Sequence, residues 1–108
     1  MIWRIRDRGT FEALDRAPAR TAGPVRLRTV PVAPGPPRVA YAVGRPVGNA
    51  VARNRLRRRL RAAVAAQAEG LRPDTAYLLS AGPRAAAMSA AQLAEAVARL
   101  LAGAGTDR

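Results

Sequence analysis

The chain has 108 residues, no cysteine, no histidine and a formal net charge of +12, and all nineteen of its basic residues are arginine. This length allows one small domain, residues 1–108, with frayed ends expected at 1–8 and 104–108. Without cysteine there is no disulfide framework or thiolate metal site, as expected in the reducing cytoplasm. Without histidine the usual general base is missing, so a nuclease that works by its own side chains is not expected.

The positive charge predicts a polyanionic partner. That partner is a nucleic acid or, as the less favoured alternative, an acidic membrane surface. No apolar run approaches the length of a membrane span, and Met1 to Arg8 carry too many charges for a signal peptide. We therefore expect no membrane association and no obligatory protein partner.

The first predicted element is a short helix that follows the basic lead, Met1 to Arg8. Thr10 is the predicted N-cap, and Pro18 ends the helix. Phe11 has two interpretations of equal weight, an ordinary core anchor or a platform on which an unpaired base stacks. Trp3 also has two interpretations: it is a core or docking aromatic, or it is part of a frayed terminus.

A strand is predicted from Pro24 to Val32, because apolar and basic residues alternate there. Val25 and Leu27 share one face, and Arg26 and Arg28 share the other. One face of this strand is therefore expected to enter the core while the other presents positive charge.

The segment 33–37 contains three prolines and a glycine and is predicted to be a loop that joins two antiparallel strands. The second strand is Arg38 to Val43, in which Val39, Tyr41 and Val43 share a face. Tyr41 is interpreted as a core residue, unless it faces the same side as Arg28.

A basic helix is predicted from Val51 to Gln67. Six of the nineteen arginines lie between Arg53 and Arg61. An apolar stripe follows helical spacing through the same segment and is expected to enter the core; it consists of Leu56, Leu60, Ala63 and Val64. Before the helix, Gly48 permits a turn with positive φ and Asn49 can cap the first turn. The entry loop and the helix therefore form one unit.

The arginine face of this helix has two interpretations, a solvated surface or a phosphate-binding surface. No Asp or Glu occurs between Asp15 and Glu69, so arginines three and four residues apart repel one another without compensation. A polyanion would neutralise this repulsion, which favours the phosphate-binding interpretation.

The C-terminal part is predicted to contain a short apolar strand, Thr75 to Ala81, and a helix that ends at Gly103. Ser89 and Gln92 form a capping box at the start of that helix. The order helix, strands, basic helix, strand, helix predicts an α+β fold, a small two-layer sandwich with helices on one sheet.

The residues around the basic helix resemble the signature of the bacterial ribonuclease P protein component, the small basic subunit of the tRNA-processing ribozyme. The resemblance rests on Gly48-Asn49-Ala50-Val51, Arg53-Asn54-Arg55, Arg57-Arg58 and Arg61. It extends more weakly to Arg6 and Phe11, to Arg38, Val39 and Val43, and to Ala76 to Ala81. It implies a left-handed βαβ crossover of the ribosomal protein S5 domain 2-like kind, although nearly all such crossovers are right-handed.

The resemblance also implies a function. The protein would bind the catalytic RNA and the 5′ leader of precursor tRNA, while the RNA with Mg²⁺ removes the leader; no catalytic residue and no metal ligand is expected in the protein. The implied catalytic-RNA-binding residues are Arg45, Gly48, Asn49, Arg53, Asn54, Arg55, Arg57, Arg58 and Arg61. The implied leader-binding residues are Phe11, Arg26 and Arg28.

The sequence departs from the family pattern at Asp15, Pro46 and Gly82, where the family commonly has an aromatic residue, a second basic residue and an arginine. A ribosomal or other RNA-binding scaffold protein without a catalytic partner is the alternative function. A stand-alone metal nuclease would need clustered carboxylates, and the seven acidic residues are scattered.

Overall fold

The computed structural model describes residues 1–106, with side chains through residue 103. The strands are β1 (Trp3–Arg4), β2 (Arg20–Ala22), β3 (Val25–Pro31), β4 (Arg38–Val43) and β5 (Thr75–Ala81). The helices are α1 (Arg8–Arg16), α2 (Ala50–Ala66) and α3 (Ala90–Thr106). Short 3₁₀ turns occupy Arg45–Val47, Ala68–Gly70 and Pro83–Ala87. Within the described residues, no helix is long and apolar enough to cross a bilayer.

The five strands form one sheet in the order β1-β4-β5-β3-β2. β4 and β5 are parallel neighbours, and α2 connects them, which confirms the predicted crossover. β3 is antiparallel to β5, with Leu27 opposite Leu79. β3 and β4 therefore run in opposite directions, as predicted for the strands that flank the 33–37 loop, but β5 lies between them.

The larger core lies between one face of the sheet and the helices α2 and α3. Strand residues Val25, Leu27, Val39 and Leu79 are all less than 5% exposed in this cluster. The helices contribute buried leucines and valines at helical spacing, as the sequence predicts; these include Leu56, Leu60, Val64, Leu93, Val97, Leu100 and Leu101. The α+β class and the scaffold role of α3 are confirmed.

Helix α1 packs on the opposite face of the sheet, which the sequence analysis did not predict. Its Leu14 is fully buried against Ala76 and Leu78 of β5, and Ile5 completes this smaller cluster. Residues on both sides of this point are held by the fold, because β1 pairs in parallel with the start of β4. At the other end α3 continues to Thr106, and 107–108 lie outside the described residues.

Helix α1 begins earlier than predicted, because Asp7 and not Thr10 is its N-cap. The Asp7 carboxylate accepts a hydrogen bond from the Thr10 backbone N–H at 2.9 Å and further bonds from the Thr10 hydroxyl. The hydroxyl and amide of Thr10 lower the pKa of Asp7 below its ordinary value of 3.8. The predicted end is confirmed, since Ala17 is the C-cap residue.

The proline-rich loop between β3 and β4 is fixed by Asp74. The Asp74 carboxylate accepts a hydrogen bond from the Gly35 N–H at 2.8 Å, and the Asp74 N–H donates to the Gly35 carbonyl at 2.9 Å. Asp74 itself has a φ of 59°, a conformation that Asp tolerates better than most residues. Residues far apart in sequence thus lock the loop beside β1.

Candidate nucleic-acid interface

The entry to α2 has the geometry that the sequence predicts. Asn49 is the N-cap, and its side-chain oxygen accepts a hydrogen bond from the Ala52 N–H at 2.9 Å. Gly48 has a φ of 145°, and a Cβ added there would lie 3.1 Å from the Cβ of Ala52. A side chain at Gly48 would therefore be strained and crowded. Gly48 and Asn49 shape the start of the helix, and both are exposed to solvent.

Helix α2 divides into a buried stripe and an arginine face, as predicted. Leu56 and Leu60 are 2% and 0% exposed, and Ala63 and Val64 are also buried. Asn54 and the six arginines from Arg53 to Arg61 lie away from this buried stripe. Of these, Asn54, Arg55, Arg58 and Arg61 are exposed, whereas Arg53, Arg57 and Arg59 are half-buried. The packing of the stripe therefore holds a row of guanidinium groups toward solvent.

The half-buried arginines are positioned by the protein. Arg57 donates to the Asn54 side-chain oxygen at 3.0 Å and to the Val43 carbonyl at 3.4 Å. Arg59 donates to the Met88 carbonyl at 3.3 Å, which ties α2 to the turn before α3. The Nε atom of Arg53 is buried and lacks a hydrogen-bond partner within the protein. Arg57 and Asn54 thus act as a pair, while Arg53 retains an unused donor.

Arg61 lies over the ring of Tyr41, with its guanidinium carbon 5.5 Å from the ring centroid. This is the geometry of a cation–π contact. Tyr41 is half-buried and packs against the α2–α3 core, and burial raises the pKa of its hydroxyl. It does not share a face with Arg28, so its interpretation as a core residue stands.

The predicted leader-binding residues lie on the α1 face of the sheet but line different cavities. Phe11 is half-buried, packs on the Leu14 cluster and lines a groove of about 1190 Å³. Arg26 is exposed and lines a separate cavity of about 580 Å³. Arg28 donates from Nε to the Ala17 carbonyl at 3.1 Å, and so fixes the end of α1.

Several arginines outside the predicted set join these cavities. Arg84 lines the smaller cavity with Arg26. Arg45, which belongs to the predicted set, is exposed in the turn that follows β4 and lines neither of these cavities. The larger groove adds Trp3 and Arg38 beside the predicted Arg57 and Arg61; Arg4 and Arg6 also line it. The residues of the larger groove come together because β1 pairs with β4. A two-residue strand has no periodic pattern, so this pairing could not be predicted from the sequence.

The chemistry available to these surfaces is ionic binding and stacking. Within the described residues, no group of three or more His, Cys, Asp or Glu side chains could hold a metal ion. Guanidinium groups instead offer forked hydrogen-bond donors to phosphate and planes that stack on bases. The arrangement is suited to holding a polyanion.

Fold and surface together define a class of protein, a small basic α+β domain whose arginine-rich helix crosses over between two parallel strands. The ribonuclease P family model matches residues 2–105. The chain therefore belongs to the ribonuclease P protein family, whose role is in tRNA processing.

The relatives agree with this membership. The ribonuclease P protein component of Acidothermus cellulolyticus is 41% identical over 102 residues, covering 92% of this chain and 85% of that protein. That of a Nocardioides species is 40% identical over 110 residues, covering 96% and 92%. Among solved structures, the Staphylococcus aureus RNase P protein matches with a TM-score of 0.82 at 19% identity, covering 94% of each chain. The Thermotoga maritima RNase P protein matches with a TM-score of 0.79 at 16% identity, covering 91% and 94%.

Proposed function

We propose that this chain is the protein subunit of ribonuclease P and binds the catalytic RNA through the arginine face of α2. The proposal rests on a helix whose apolar stripe is buried in the core while its exposed face is positively charged. No acidic residue between Asp15 and Glu69 compensates this charge within the sequence. The arginines of such a face repel one another in the free protein, and a phosphate backbone would neutralise their charge. The binding surface comprises Arg45, Gly48, Asn49, Arg53, Asn54, Arg55, Arg57, Arg58 and Arg61.

In this proposal the RNA performs the hydrolysis and the protein supplies binding energy and orientation. Mg²⁺ would supply metal-assisted hydrolysis, and the described residues offer no cluster that fits it, so we assign the ion to the RNA. The arginines would neutralise crowded phosphates, which lowers the Mg²⁺ concentration that the folded RNA needs. We place this ribonucleoprotein in the cytoplasm.

The test is reconstitution with the cognate RNA. Purified chain freed of RNA is expected to leave precursor tRNA intact, and addition of the catalytic RNA with Mg²⁺ is expected to restore cleavage at the mature 5′ end. Sequencing of RNA that copurifies with the chain separates this function from a scaffold protein of another particle. Cleavage at that site by the RNA-free protein would contradict the proposal.

We further propose that the α1 face holds the single-stranded leader, with Phe11 as a stacking platform and with Arg26 and Arg28 farther along the same face. The support is that Phe11 is only half-buried although it touches the core, and that it lines an open groove. Phe11→Leu keeps apolar bulk against Leu14 and removes the aromatic plane. It is expected to weaken binding of leader-bearing substrate by roughly 5- to 150-fold if one base stack is lost.

The matched measurement uses mature tRNA, which has no leader. Its affinity for the reconstituted enzyme is expected to be the same with Phe11 and with Leu at this position, and the affinity of the protein for the catalytic RNA is also expected to be unchanged. Equal losses for leader-bearing and leaderless tRNA, or earlier melting with no selective defect, would show that Phe11 serves the core alone.

A further inference from the structure

Trp3 is an exposed aromatic side chain whose position is nonetheless fixed. It is 45% exposed and lies outside both hydrophobic clusters of the described residues. Its backbone is held in β1, because the Trp3 N–H donates to the Pro37 carbonyl at 2.8 Å and Trp3 lies opposite Arg38 in the sheet register. Since the indole contributes little to the core, its exposed surface is available to a ligand.

Three contacts support the indole: a hydrogen bond from its N–H to the Met1 sulfur at 3.2 Å, the Arg38 guanidinium and the backbone at Gly35. The guanidinium carbon of Arg38 lies 5.5 Å from the centroid of the Trp3 ring. A Cβ added to Gly35 would lie 3.3 Å from Cζ3 of Trp3, so the loop backbone packs closely against the ring. Gly35 is itself fixed by Asp74. The ring is therefore pre-organised, which lowers the entropy lost when a planar ligand stacks on it.

The surroundings of Trp3 are strongly positive. Five arginines line the same groove, namely Arg4, Arg6, Arg38, Arg57 and Arg61. Asp7 is the acidic residue in the lining, and its carboxylate already accepts hydrogen bonds from Thr10. Nε of Arg38 is buried without a hydrogen-bond partner. Aromatic planes among cations that outnumber the acids are the pattern by which proteins bind single-stranded nucleic acid.

The groove also connects the two surfaces of the proposed function. β1 pairs only with Arg38 and Val39, so the outer edge of β4 beyond them has no strand partner within the described residues. The groove passes this open edge, from Phe11 on the α1 face to Tyr41 and Arg61 on the α2 face. Trp3 lies at the edge itself.

We propose that Trp3 is a stacking platform for an unpaired nucleobase, with Arg38 and its neighbours neutralising the flanking phosphates. The inference rests on the proposed function and extends the leader-binding surface from Phe11 to the sheet edge. Unpaired bases occur in the leader and in the catalytic RNA. We assign the base to the leader, because Trp3 and Arg38 share the α1 face with Phe11.

The test uses the intrinsic fluorescence of Trp3, the single tryptophan of the chain. The protein is titrated with a short single-stranded oligoribonucleotide and, as the matched control, with an abasic strand of the same length and charge. The oligoribonucleotide is expected to quench the fluorescence and the abasic strand is not. Because both variants at position 3 lack the tryptophan fluorophore, their affinities are measured with a fluorescently labelled strand. Trp3→Leu is expected to weaken oligoribonucleotide binding roughly 5- to 150-fold, and Trp3→Phe is expected to retain most of the affinity.

The source of the base is identified in the reconstituted holoenzyme. Quenching by leader-bearing precursor but not by mature tRNA supports the assignment, whereas quenching by the catalytic RNA alone overturns the assignment to the leader. Equal responses to the base-containing and abasic strands, or unchanged affinity in Trp3→Leu, would overturn the stacking platform itself. Failure of the proposed function looks different, because the catalytic RNA would then not bind whichever residue occupies position 3.

Discussion

Helices α2 and α3 have the same length, 17 residues, and lie side by side on the same face of the sheet, yet their exposed faces differ. Leu60 of α2 and Leu93 of α3 are both essentially inaccessible to solvent. On the exposed side, α3 carries mostly alanine and a Glu95–Arg99 pair with an N–O distance of 3.5 Å. The exposed side of α2 carries arginines without an acid.

The difference shows that packing and charge are set independently in this fold. The buried stripes hold both helices against the sheet. The side chains of the Glu95–Arg99 pair are each 73% exposed, so this pair adds little stability. The arginines of α2 are expected to reduce the stability of the free protein through mutual repulsion. This contrast is the reason for proposing the arginine face of α2, and not the exposed face of α3, as the polyanion-binding surface.

The largest effects on stability are expected at the buried leucines, which are the feature that α2 and α3 share. Leu60→Ala and Leu93→Ala each remove a fully buried side chain, so each is expected to lower the free energy of unfolding by about 2–5 kcal/mol. Urea unfolding of the two variants measures the loss. If Leu60→Ala costs much less than Leu93→Ala, α2 is not seated on the core as deeply as α3.

Intermediate effects are expected at the helix caps. Asn49 caps α2 through the Ala52 N–H, and Ser89 caps α3 through the Gln92 N–H at 3.1 Å. Asn49→Ala and Ser89→Ala are each expected to lower stability by about 1 kcal/mol. Thermal unfolding with both variants side by side provides the measurement. An unchanged melting temperature for Asn49→Ala would mean that its side chain does not support the helix.

The smallest effects on stability are expected at the exposed arginines of α2 and α3, and they are expected to have opposite signs. This difference in sign distinguishes the two exposed faces most clearly. Arg58 has like charges three residues away on both sides, at Arg55 and Arg61. Arg58→Ala is therefore expected to raise the stability of the free protein by a few tenths of a kcal/mol at low salt, and Arg99→Ala to lower it by about as much. Denaturant unfolding at low and high salt detects both shifts, which salt should diminish. Destabilisation by Arg58→Ala at low salt would contradict the account of α2.

The local elements were predictable from sequence because their signals are local. The basic helix was predicted as Val51 to Gln67 and is observed at Ala50–Ala66, and Thr75–Ala81 was predicted with its observed bounds. The capping box of Ser89 and Gln92 was also confirmed. In each case the periodicity of buried residues and the capping side chains lie within a few positions of one another.

The remaining features depend on contacts distant in sequence. A strand of two residues, Trp3–Arg4, has no periodicity, and its parallel pairing with β4 is set by the tertiary fold. Asp7 and Thr10 are both good capping residues, and the structure uses Asp7 because its carboxylate reaches the Thr10 amide. The groove beside Trp3 was therefore invisible in sequence, whereas the arginine face of α2 was not.

The most direct test of the central claim is the salt dependence of binding to the catalytic RNA. Arg53→Ala, Arg55→Ala and Arg58→Ala are compared with Arg99→Ala, the matched arginine on α3. Each α2 variant is expected to flatten the slope of log K against log salt by about 0.7 to 0.9, because one phosphate contact is lost, and Arg99→Ala is expected to leave the slope unchanged. Unchanged slopes for all three α2 variants would show that the arginine face is merely solvated.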